Sequence, residues 1–148
     1  MSLPEFTRQG TLPPGIHEAD WAEIETRFGA APFRQRLIAG LRAALLSLKE
    51  AGCVEAYIDG SFVTNKPRPG DFDACWSVAG VDADLLDPVL LIFDHGRAAQ
   101  KAKFAGELFP AELPEGISGR TFLEFFQIDR ATGGPKGIVL FRLDRWEP

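Results

Sequence analysis

Across residues 32–51 apolar side chains recur every three or four positions, at Phe33, Leu37, Leu41, Ala44, Leu45 and Leu48. That spacing gathers one stripe on an α-helix. Arg34, Arg36, Arg42 and Lys49 fall largely outside it, and Gly52 ends the segment. The period then changes to two. Residues 53–59 place Val54, Ala56 and Ile58 on one face of a short strand that Gly60 stops. Residues 71–78 alternate again, with Phe72, Ala74, Trp76 and Val78 on one face and Asp71, Asp73, Cys75 and Ser77 on the other.

The remaining elements follow from caps and breakers. Asp20 caps a helix to Phe28, with Glu23 three residues on in a box-like arrangement. Asp87 caps another, with Pro88 at its first position, running to about residue 103 and split near Gly96. Residues 104–110 read as a strand with Glu107 in its interior, residues 119–128 as a helix, and residues 137–143 as a last strand after a "TGGPKG" turn. Residues 1–20 carry Pro4, Gly10, Pro13, Pro14 and Gly15, so they read as an extended arm over the surface. The order predicts one α+β domain over residues 1–148, a small mixed sheet covered by helices.

Composition bounds this picture. A chain of 148 residues suits one domain. With 45% hydrophobic residues it is globular rather than disordered. The formal net charge of -5 disfavours binding to nucleic acid through bulk electrostatics and leaves room only for a local basic groove. Cys53 and Cys75 lack metal-ligand spacing and read as reduced, buried thiols. No apolar run approaches a membrane span, and the first residues lack the basic start and apolar middle of a signal peptide, so a cytoplasmic setting without membrane contact is expected.

The two aspartates on one strand face raise a physical question. Ionised carboxylates about 4 Å apart repel by roughly 4 kcal/mol at an effective dielectric near 20. A proton, a basic partner, open water or a divalent cation can offset that. Mg²⁺ or Mn²⁺ would make the pair useful for phosphate chemistry, because such ions are held by one or two carboxylates plus the phosphates of a substrate. Glu107, on a later strand, is the best placed third acid. Gly60 lets backbone approach a phosphate, Ser61 offers a hydroxyl at the start of a turn or short helix, and Lys66 follows in the same loop.

"GS" at Gly60-Ser61, nine intervening residues and then "DFD" at Asp71-Phe72-Asp73 resemble the signature of the DNA polymerase beta-like nucleotidyltransferase superfamily. The chain is also similar to an uncharacterised bacterial group of stand-alone domains of this type, with "LPPGIH" near the start and "PKGI" near the end. The resemblance implies a minimal nucleotidyltransferase-like fold and an enzyme that moves a nucleoside monophosphate from an NTP to a protein, RNA or small-molecule acceptor. It implies Asp71, Asp73 and Glu107 as catalytic metal ligands, and Gly60, Ser61 and Lys66 as nucleotide-binding residues. Small members usually carry an arginine shortly after the serine; here the loop offers Lys66 and Arg68. An alternative of another class is a nucleotidyltransferase-like binding or regulatory module, weak or inactive in catalysis, within a toxin–antitoxin or phage-defence pair. A homodimer or cognate partner would supply what so short a chain lacks.

Other motifs have plainer readings. Ser61 lacks the G-x-S-x-G context of a serine nucleophile. His17 and His95 read as a loop and a helix-surface residue. "TGGPKG" lacks the spacing of a phosphate loop and reads as a turn. Phe122, Phe125 and Phe126 read as core rather than as a base-stacking platform, and Arg97, Lys101 and Lys103 as a solvated face that could instead line an acceptor groove.

Overall fold

The computed structural model of the chain describes residues 3–148. Five strands form one sheet: β1 Gly15–Glu18, β2 Glu55–Asp59, β3 Phe72–Trp76, β4 Gly106–Pro110 and β5 Gly137–Arg142. The helices are α1 Trp21–Phe28, α2 Gln35–Glu50, α3 Asp94–Phe104 and the short α4 Phe122–Phe125. Strand order is β1-β5-β2-β3-β4, with β1 parallel to β5, β2 antiparallel to both β5 and β3, and β4 parallel to β3. The fold is the expected α+β class with a mixed sheet. No helix among the described residues is long and apolar enough to cross a membrane.

The alternation read from the sequence decides which face is buried. Ala56, Ile58, Phe72, Ala74, Trp76, Leu108, Val139 and Phe141 join the main core with Ile24 and Phe28 of α1 and the stripe Leu37, Leu41, Ala44, Leu45 and Leu48 of α2. Leu41, Leu45 and Leu48 are wholly buried, each worth about 1.5–3 kcal/mol. Gly40 lets α2 meet the carbonyl of Phe104, since any side chain there would collide with that backbone oxygen. The opposite face carries a smaller cluster of Tyr57, Cys75, Ala111, Phe126 and Ile138, with Phe109, Phe122 and Phe125 packed against it. Both cysteines are free and buried, and burial pushes the Cys53 thiol up to about 11.

Several expectations are corrected. Residues 15–18 of the proposed arm are an edge strand, and Leu3 and Leu12 are buried in the main core; residues 1 and 2 of the arm lie outside the described residues. Phe33 is not part of the buried stripe. It lies in a 3-10 turn, Pro32–Arg34, is 56% exposed and carries the Arg68 guanidinium 3.9 Å above its ring. Val54 precedes β2 and is exposed. The helix from Pro88 is a 3-10 turn, Pro88–Leu91, capped by Asp87, which accepts from the Val89 N–H. α3 then starts with His95, Gly96 and Arg97 in left-handed backbone, so the interruption expected at Gly96 is real. The helix over 119–128 shrinks to four residues, closed by a capping box between Thr121 and Glu124.

Candidate functional site

Strand register brings the acids together. Asp59 of β2 stands opposite Asp73 of β3, and Asp73 opposite Glu107 of β4. One row across three neighbouring strands therefore carries three carboxylates at the inter-strand spacing of about 4.8 Å. Asp71 lies two residues before Asp73 and so shares its face. Asp71, Asp73 and Glu107 each bring one carboxylate oxygen within 4.8 Å of the other two, and all three are half-buried. Asp59 is not part of this triad.

The electrostatics reflect the crowding. The Asp73 carboxyl is pushed up to about 8, chiefly by burial, then by its hydrogen bond to Glu107 and by the charges of Asp71, Glu107 and Asp59. The Asp71 carboxyl is raised by burial and by the Glu107 charge. Burial opposes ionisation of Glu107 too, but the hydrogen bond from Asp73 and the cations Arg97 and Lys101 outweigh it and hold its carboxyl low. The two shifts are complementary: the surroundings favour the protonated form of Asp73 and the ionised form of Glu107. Arg97 reaches Glu107 Oε1 through Nε at 2.8 Å and Nη2 at 2.7 Å, and Lys101 Nζ is 3.7 Å from the same oxygen.

Gly60 and Ser61 connect β2 to this cluster. Gly60 has φ +81, and a Cβ there would strike the Asp73 carboxylate. Ser61 opens the expected short helical turn, Ser61–Val63, and its side chain joins the cavity wall. The loop is clamped from behind by Arg34, which the helical pattern had placed among the outward charges. Arg34 is buried and donates to the carbonyls of Phe28, Phe62, Thr64 and Lys66 at 3.1, 2.6, 2.7 and 2.7 Å. The Lys66 side chain is exposed and borders the same cavity.

That cavity has a volume of about 1070 Å³ and a mixed lining. Asp59, Asp73, Glu107, Gly60, Ser61 and Lys66 supply polar groups to it. Phe93, Phe109, Phe122, Phe125 and Phe126 supply apolar wall. Phe109 stacks on Phe122 at 4.6 Å between ring centroids, so these rings are a second core, as expected, with one side facing the cavity. Of the three cations weighed as a solvated face, Arg97 lines this cavity and with Lys101 engages Glu107, whereas Lys103 pairs with Asp87 away from it.

Two site residues escaped the sequence reading. Asp59 is 3% exposed and its carboxyl is raised by burial, opposed by Lys136 and the Gly60 N–H. Lys136 Nζ lies 3.2 Å from Asp59 Oδ1 and its side chain lines the cavity. Along the chain Asp59 is only the last residue of a strand and Lys136 only part of a turn. The available signal was a second acid, directly before Gly60, at the end of a short strand whose middle, Ala56 to Ile58, is buried. The "TGGPKG" segment is a turn as expected, closed by hydrogen bonds of 2.8 Å from Asp129 N–H to the Gly134 carbonyl and 2.7 Å from Gly133 N–H to the Asp129 carbonyl.

The chain belongs to a family described as a family of unknown function (DUF6932), whose model matches residues 4–142. No curated protein and no solved structure matches it.

Proposed function

We propose that this chain is a divalent-metal-dependent nucleotidyltransferase that moves a nucleoside monophosphate from an NTP to an acceptor hydroxyl and releases pyrophosphate. The observation that carries the reading is the convergence of Asp71, Asp73 and Glu107 within 4.8 Å, on the sheet face where Gly60 and Ser61 line the cavity. The resemblance of "GS…DFD" to the DNA polymerase beta-like superfamily supports it.

An all-oxygen donor set fits Mg²⁺ or Mn²⁺. The raised carboxyl of Asp73 marks a site short of positive charge, which such an ion would relieve. When bound, the metal supplies charge that favours the attacking alkoxide and offsets the developing charge on pyrophosphate. Asp71, just before β3, and Asp73 within it would hold the metal, and Glu107 would complete the site from β4 on the acceptor side. Ser61 offers its hydroxyl to a phosphate oxygen, and Lys66 a mobile charge at the cavity rim. The new bond joins the acceptor oxygen to the α-phosphorus as the bond to the β-phosphate bridging oxygen breaks, and its electron pair leaves with pyrophosphate. The acceptor hydroxyl passes its proton to the Glu107 carboxylate.

A second reading, a nucleotide-binding or partner-binding module without transfer, is favoured by the contact of Arg97 and Lys101 with Glu107, which already neutralises the third acid. A toxin–antitoxin or phage-defence partner, or a second copy of the chain, belongs with that reading. Incubation with Mg²⁺ and α-labelled NTPs, with tRNA or with a cell lysate, separates the two. Label transferred to an acceptor and lost in Asp73→Asn supports the enzyme. No transfer under any condition, with ATP affinity indifferent to EDTA, overturns it.

A further inference from the structure

We infer that Lys136, oriented by the buried Asp59, is a binding residue for the polyphosphate of the nucleotide, an inference that rests on the nucleotidyltransferase reading. A buried acid beside three others is costly to keep, since like charges add to desolvation. Asp59 has no place in the metal triad, yet it stands next to Asp73 in the same row. Its one cationic partner among the described residues is Lys136.

The pair is not self-contained. At 3.2 Å, Lys136 Nζ contacts Asp59 Oδ1, but that oxygen has no well-aligned hydrogen bond. An ammonium has three donors, so at least two remain unspent. The Lys136 side chain is 21% exposed and lines the cavity together with Ser61 and Asp73. The backbone holds it there. Its N–H donates to the Gln127 carbonyl at 2.9 Å, and the bridge between Ile128 and Pro135 fixes the turn before it.

The ligand chemistry follows. Carboxylates repel an approaching polyphosphate everywhere along the row except where a metal or a fixed cation intervenes. Arg97 and Lys101 serve the β4 end of the row, and Lys136 serves the β2 end, next to the Gly60-Ser61 turn. Asp59 confines the ammonium; Lys136 makes the contact. Lys136 thereby supplies, from the turn that leads into β5, the fixed cation that the loop after Ser61 lacks.

The test measures binding of ATP and of inorganic pyrophosphate, each with Mg²⁺, by calorimetry on the full chain. Lys136→Met weakens both by about 10- to 100-fold, the worth of a charge-assisted hydrogen bond, and Lys136→Arg keeps most of the affinity. Asp59→Asn weakens binding in the wild-type background and adds nothing to Lys136→Met. If single variants fail to fold, Asp59→Leu with Lys136→Met replaces the pair by apolar side chains that such a site tolerates, and it shows the same loss. Wild-type affinity in Lys136→Met or in the double variant overturns the inference, as does failure of the wild-type chain to bind either probe. The parent reading fails separately: ATP binding unaffected by EDTA and by Asp73→Asn removes the metal site, whatever Lys136 does to pyrophosphate.

Discussion

The carboxylate of Asp73 occupies the space that a side chain at Gly60 would fill. The glycine of the "GS" motif is thus fixed twice, by its φ of +81 and by an acid from the neighbouring strand. Gly60→Ala forces both the backbone and Asp73 to move. We expect a loss of about 1–3 kcal/mol in urea denaturation, and a larger loss of Mn²⁺ affinity read by proton relaxation. An alanine variant that binds Mn²⁺ as the wild type does would show that Asp73 is not held by this contact.

Protonation of Asp73 links stability to pH. Its folded carboxyl titrates at about 8, far above the ordinary aspartate value, so between about pH 4 and pH 8 the folded metal-free chain binds a proton that the unfolded chain has released. Stability from this group therefore falls as pH rises through that window, by at most about 1.4 kcal/mol per pH unit for one proton. Glu107, whose carboxyl is held low, acts with the opposite sign and loses its contribution only as pH falls below the ordinary glutamate range. A divalent cation displaces the proton, so the melting shift caused by Mg²⁺ or Mn²⁺ should grow from pH 6 to pH 8.5. A shift that is flat or shrinks with pH would contradict a protonated Asp73.

Asp73→Asn separates stability from function. The amide stands in for the protonated carboxyl without its charge, so the metal-free variant should match the wild type near pH 4 and exceed it increasingly as pH rises toward about 8 in thermal melts. Metal-induced stabilisation should vanish in the same variant.

Arg34 holds four carbonyls at once, three of them on the loop from Phe62 to Lys66. Arg34→Met leaves those acceptors without a donor and should cost about 3 kcal/mol or more. Hydrogen exchange should rise over residues 61–66 before the rest of the chain is affected, and Arg34→Lys, which lacks the planar fork, should recover only part.

Arg97 competes with any metal for Glu107. It does so from left-handed backbone at φ 63, a conformation that favours glycine. Arg97→Gln should tighten Mn²⁺ binding several-fold by freeing Glu107, and unchanged affinity would show that Glu107 lies outside the metal site.

The local pattern made most elements legible. Helix α2, strand β3 and the cap at Asp20 follow from spacing and side-chain chemistry that act over a few residues. Strand β1 was hidden because four residues among prolines and glycines carry no period of their own, and they become a strand only by pairing with β5. Arg34 read as an outward charge because helical spacing does not register carbonyls supplied by a distant loop.

By itself the sequence determined that Asp71 and Asp73 share a face, that Gly60 and Ser61 precede them by a fixed loop, and that one amphipathic helix packs on the sheet. Alternation and helical period are properties of neighbouring residues, so they are written along the chain. Only the tertiary structure decided that Asp59, Asp73 and Glu107 form one row, that Arg97 lies on Glu107, and that Lys136 reaches Asp59 from the turn before the neighbouring strand β5. Register between strands and the meeting of charges across them depend on how the core packs as a whole, and no local stretch carries that information.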